Sequence, residues 1–323
     1  MSKKSAWIIL AVTLLVTLPA RLSQILLFMD RKTGFYSDGG VLTAVVSVGL
    51  AAGALAVAVL CYTDRGKPKD YRPIRSIPAA VLGILAGLGL VIESAAGLMN
   101  GSSGQIHFMY MILSLVGILT GIVFMLTAYD FSVGENRFEK YPVLALVPPV
   151  WGCVGLVALF ITYVAVANVS ENIYNTFTVI FLLLFLFAQA KLLAGVESQR
   201  SSRLIYAFGM PAILLSLVTG ISGAVSYFIG VSPVGYFPVG LHFVNVLLAL
   251  YIFAFLLAVR KLPDGEAAAG EEPEIRNAET GPEPSEPQPP EQSEPEKCWE
   301  LLAKEYKSAE RFSELTPSPF YQK

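Results

Sequence analysis

The sequence predicts an all-α membrane protein with eight transmembrane helices, built as a parallel four-plus-four duplication and followed by a disordered acidic C-terminal tail. Three observations carry this reading. Of 323 residues, 54% are hydrophobic and only 15% charged, and mean hydropathy is +0.59. The apolar residues come in runs of roughly 20 or more, the length that crosses about 30 Å of hydrocarbon. The two halves of this hydrophobic region also share a pattern of prolines, glycines and histidines.

The eight runs fall at 6–28, 40–61, 78–99, 107–129, 143–167, 173–194, 204–229 and 239–259. Lipid offers the backbone no hydrogen-bonding partner, so uninterrupted segments of this length satisfy themselves as α-helices. None shows the alternation expected of an outer-membrane barrel. The first run follows Lys3 and Lys4, as in a signal peptide. It continues through Phe28, interrupted only by Arg21, which is too long for a cleavable apolar region, and Leu18-Pro19-Ala20 is a poor cleavage site. It reads as a retained first helix.

Lysine and arginine in the short loops set the orientation. With the N-terminus inside, Arg65, Lys67, Lys69, Arg72, Arg75, Arg137, Lys140, Arg200, Arg203, Arg260 and Lys261 all fall on the inner side. The opposite loops carry only Arg31 and Lys32. The expected location is therefore the cell membrane, with both termini cytoplasmic.

The duplication rests on an alignment. Pro78-Ala79, Leu82, Gly87 and Gly97 match Pro211-Ala212, Leu215, Gly220 and Gly230 at an offset of 133 residues. Ile106-His107-Phe108 matches Leu241-His242-Phe243 at an offset of 135. An even number of spans per unit makes both units enter from the same side. Spans one and two match five and six only through Pro19 against Pro148-Pro149 and Tyr36 against Tyr174.

The bundle is expected to end at residue 261, where the charge reverses. Residues 1–261 hold 17 basic and 10 acidic residues, a net of +7; the remainder holds 6 and 15, a net of −9. Residues 262–296 are rich in Pro, Glu, Ala and Gly, too poor in apolar groups to offset the entropy of ordering, and read as a disordered linker. Residues 297–312 regain a helical period in Trp299, Leu302, Tyr306 and Ala309, with charges opposite. This short amphipathic helix suits the membrane surface, the protein's own inner loops or a cytoplasmic protein partner. Residues 313–323 form a flexible C-terminus.

The candidate site comes from polar residues inside apolar runs, where a charge costs a few kcal/mol unless paired or hydrated. Arg21 and Gln24 share one face of span one, and Glu93 lies about a turn from the end of span three. His107 opens span four, and His242 with Asn245 opens span eight. All six fall toward the expected outer side. Either Arg21 pairs with Glu93 while the histidines cap their helices, or the six line an outward-facing cavity for a small polar ligand or ion. Histidine there would titrate near neutral pH.

Other chemistry has weaker support. The histidines lack HxxxH and HExxH spacing, and Cys61, Cys153 and Cys298 are an odd, scattered set, so no metal site, cofactor or disulfide framework is expected. Gly101-Ser102-Ser103-Gly104 fits the G-x-S-G pattern of rhomboid-type intramembrane serine proteases, with His242 as the implied partner. The outer-side histidine–asparagine pair of that family is missing, which leaves a serine hydrolase as a distant third reading. The loop 30–40, rich in turn formers and aromatics, reads as an interfacial turn or a lid in which Asp38 helps to cap span two. Gly49-x3-Gly53, Gly83-x3-Gly87 and Gly117-x3-Gly121 read as helix-packing positions. No nucleic-acid motif appears, and positive-inside bias accounts for the basic loop. The leading expectation is a non-enzymatic module that binds or moves a small polar solute or ion across the lipid bilayer. The alternative is a membrane-anchored sensor or scaffold acting through its tail.

Overall fold

Among the described residues, eight helices are long and apolar enough to span a bilayer: Lys4–Phe28, Val41–Tyr62, Ile77–Met99, Phe108–Val133, Pro142–Ile161, Asn172–Leu193, Ser201–Phe228 and Gly240–Arg260. The computed structural model describes residues 2–29, 36, 37, 39–63, 73, 75–99, 105–163, 169–196, 198–230 and 239–260, without the side chains of 2, 3, 105–107, 162, 163, 169–171, 198–200 and 239. The expected linker 262–296, amphipathic helix 297–312 and C-terminus 313–323 lie outside the described residues, as do Asp38 and the segment 101–104. Every expected apolar run coincides with a helix, so the protein is an all-α, multi-pass membrane protein.

The helices are α1 (Ser2–Phe28), α2 (Val41–Tyr62), α3 (Ile77–Met99), α4 (Gln105–Val133), α5 (Pro142–Ala145), α6 (Val147–Tyr163), α7 (Val169–Leu193), α8 (Ser198–Phe228) and α9 (Val239–Arg260), with a 3-10 turn at Arg137–Glu139. The fifth span is α5 and α6 together. Pro148 and Pro149 lack the N–H groups that would bond back to Leu144 and Ala145, so the helix restarts at Val147 with both prolines in its first turn. Pro19 in α1 and Pro211 in α8 sit inside continuous helices instead. Their lost backbone bonds are tolerated because neighbouring helices hold the segment.

Six helices form a closed ring of neighbours, in the order α3, α4, α6, α7, α8, α9 and back to α3. The α1–α2 pair packs outside it against α8, which is the most thoroughly buried span. At the end where α2 finishes and α3 begins, the ring interior is filled with aromatic rings. Phe124 meets Tyr251 at 5.1 Å, Phe131 meets Phe255 at 5.7 Å, and Phe185 meets Phe255 at 5.8 Å between centroids, all edge to face. The buried Gln189 amide donates to the Tyr251 hydroxyl within this plug. At the same end, Arg137 donates its backbone N–H to Asp130 Oδ2 at 3.0 Å, and Asn136 Nδ2 donates to the Leu193 carbonyl at 2.8 Å, fixing the turn into α5.

Small residues set the closest approaches. Gly87 and Gly121 meet backbone to backbone where α3 crosses α4, as the Gly83-x3-Gly87 and Gly117-x3-Gly121 spacings anticipate. Hydroxyls inside the lipid span are satisfied locally: Thr17, Thr120, Thr127, Thr178 and Thr219 each donate to the carbonyl four residues earlier.

The helix pairs α3–α4 and α8–α9 are built differently from what the aligned motifs suggest. Pro78 is the second residue of α3, whereas Pro211 lies thirteen residues into α8. Gly87 packs against Gly121 and Phe124, but its counterpart Gly220 packs against the His242 carbonyl and Val246. His242 therefore sits at a helix crossing, while the crossing of the first pair lies fourteen residues beyond His107, about 21 Å along α4.

Candidate functional site

The five candidate residues whose side chains are described divide among separate places. Arg21 and Gln24 form one cluster with α2 and α7. Both are completely buried, although Arg21 is only seven residues, about 10 Å, from the end of α1. Arg21 donates through a terminal guanidinium nitrogen to Gln24 Oε1 at 2.5 Å, and Gln24 Nε2 donates to the Thr43 hydroxyl at 2.5 Å. The guanidinium carbon lies 5.2 Å from the Tyr36 ring centroid and 4.8 Å from that of Tyr174. The Tyr174 hydroxyl and Ser47 share a hydrogen bond of 2.6 Å, linking α7 to α2. A guanidinium tolerates this position because it is weakly hydrated, planar and attracted to the negative faces of aromatic rings.

Glu93 is elsewhere. Its half-buried carboxylate lies against Gly240 in the first turn of α9, and any side chain at Gly240 would overlap it. The expected Arg21–Glu93 pair does not form, because α1 packs on α2 and α8 whereas α3 packs on α4 and α9. The positive end of α9, where backbone N–H groups lack intrahelical partners, takes the place of the arginine. The His242 ring lies against Gly223 of α8, filling space that a β-carbon there would occupy. The His107 side chain lies outside the described residues.

Asn245 belongs to a third place. With Leu241 it contributes to a tight pocket of about 30 Å³, lined on its other sides by Tyr110 and Leu113 of α4, Trp151, Gly152, Gly155, Ala158 and Leu159 of α6, and Val179 and Leu182 of α7. These walls come from four helices of the ring, near the end where α1 finishes and α2 begins. Gly152 and Gly155 leave the α6 wall flat, and most lining residues are buried. Asn245 is itself 4% exposed. The arrangement is a tight apolar pocket with an amide at its wall.

Sequence reasoning missed Thr43, Ser47 and Tyr174, which complete the Arg21 cluster. The usable signal was a threonine and a serine four residues apart on one face of an otherwise apolar α2. Tyr36 and Tyr174 were noticed only as aligned positions, and both prove to stack near the same arginine. Among the described residues no group of three or more His, Cys, Asp or Glu side chains is placed to hold a metal ion. Comparison of the chain with family models, with characterised proteins and with solved structures returns no match.

Proposed function

We propose that this protein is a membrane-embedded binding module for a small solute with an apolar body and one hydrogen-bonding group, held in the ring pocket and read by Asn245. The observation that carries this reading is the buried Asn245 amide in the apolar wall of a pocket between four helices, whose free volume of about 30 Å³ holds one or two waters, so that a larger solute enters by parting the lining side chains. Ligand sites have this pattern of few polar groups in an apolar lining. The reading narrows the small polar solute or ion expected from sequence. Arg21 and Gln24 are engaged by Thr43, Tyr36 and Tyr174 and brace α1 and α2. The aromatic plug favours binding over passage through the ring. Location in the cell membrane with both termini cytoplasmic belongs to the same proposal and rests on the distribution of lysine and arginine. It would place the pocket on the outer side.

The test is thermal stabilisation of the protein in lipid nanodiscs by octanamide, with octane as the apolar control. A ligand at a hundred times its Kd adds about 2.7 kcal/mol. Asn245→Leu should abolish the octanamide shift and leave that of octane, while Gly155→Leu should block both. Stabilisation by octanamide that survives both substitutions would sink the proposal. The packed Arg21 cluster favours a second reading, a rigid scaffold acting through residues beyond 261, if neither compound shifts the melt.

A further inference from the structure

At the opposite end of the bundle from the pocket, α3 and α9 leave a groove of about 820 Å³ between them. Its apolar walls are Pro78 and Leu82 on α3 and Phe253 and Leu257 on α9, and Arg75 and Arg260 stand at its mouth. Pro78, Phe253 and Leu257 are exposed, as are both arginines. From Phe253 to Arg260 the groove runs about two helical turns, roughly 10 Å down from the helix end. We propose that this groove is a binding site for an anionic phospholipid, its phosphate between Arg75 and Arg260 and one acyl chain along Leu82, Phe253 and Leu257.

Three features select this occupant. The groove lies on the flank of spanning helices, so hydrocarbon is the solvent its apolar walls meet. The two cationic groups sit where α3 begins and α9 ends, the level at which a lipid carries its phosphate. Among the described lining residues the charged groups, Arg75 and Arg260, are both cationic, which favours a net anionic headgroup over a zwitterionic one. Basic pockets between spanning helices at headgroup level have this chemistry, and guanidinium groups suit phosphate geometry. The site is separate from the ring pocket, so either can fail without the other.

Native mass spectrometry of the full-length protein, extracted from membranes of mixed phosphatidylglycerol and phosphatidylcholine, tests it. Phosphatidylglycerol should be retained preferentially. At about 1 kcal/mol per basic residue near the surface, Arg75→Ala with Arg260→Ala should weaken retention roughly thirtyfold. Leu257→Trp, which fills the groove without altering charge, should weaken it as well and guards against a charge variant that fails to fold. Lys140→Ala, an exposed basic residue at the same end, should leave retention unchanged. Equal retention of both lipids, or equal loss in Lys140→Ala, would overturn the proposal. A photo-crosslinker at Leu257 should capture lipid; capture of the chain's own residues or of a second copy would equally overturn it.

Discussion

The Glu93 carboxylate of α3 rests on the backbone of Gly240, in the first turn of α9. The contact joins two helices 147 positions apart in sequence through a residue that has no side chain to move aside. The field of the α9 N-terminus favours the anion there by up to about 2 kcal/mol in a partly buried setting.

Gly240→Ala should therefore destabilise the protein by about 1–3 kcal/mol, the range for overpacking a filled site. Glu93→Ala in the Gly240→Ala background should recover most of that loss, since it removes the group with which the new methyl collides. Thermal melts of the two single variants and the double variant give the coupling. Additive effects would separate the two residues.

Arg21 should resist replacement by lysine. Its guanidinium reaches Gln24 while lying near two tyrosine rings, a geometry that a compact ammonium cannot reproduce. Arg21→Lys and Tyr174→Ala should each lower the melting temperature strongly. Tyr174→Phe keeps the ring and loses only the bond to Ser47, which costs about 0.6 kcal/mol by the average for hydrogen bonds between membrane helices. A Tyr174→Phe effect as large as that of Tyr174→Ala would mean that the hydroxyl, not the ring, holds the cluster.

The aromatic plug should be costly to open. Phe255 is fully buried and meets Phe131 and Phe185. Phe255→Ala is expected to cost about 3–5 kcal/mol through lost packing and a cavity. Phe255→Leu should cost distinctly less. Chemical unfolding in mixed micelles measures both, and equal losses would mean that the ring-edge contacts, rather than the volume filled, hold the plug together.

Topology gives a fourth expectation. A periplasmic-type phosphatase reporter fused after residue 261 should be inactive, and one inserted at 101–104 active, if the end carrying Arg137, Lys140 and Arg260 is cytoplasmic. The reverse pattern would invert the placement of the ring pocket.

The spans were legible because the cost of exposing backbone to lipid leaves long apolar runs a single solution, and each run became a helix. The break before Val147 was written in Pro148-Pro149. Partners were less legible. Arg21 and Glu93 were matched by charge, yet the helix neighbours are chosen by shape: Gly87 against Gly121, and Gly220 and Gly223 against α9. Arg21 is engaged by Gln24 and two tyrosine rings, and the half-buried Glu93 lies at a helix terminus, contacts that charge counting does not see.

The position of α8 has a consequence for how the chain is made. The α1–α2 pair docks onto α8, and the contact between the Cys61 thiol and the Met210 sulfur joins residues 149 apart. At roughly 5–20 residues per second of synthesis, that interval lasts about 7–30 s. Throughout it the first hairpin resides in the bilayer with its docking face open to lipid or to any insertion chaperone present. The first two spans of this protein are thus collected only when its seventh reaches back to them.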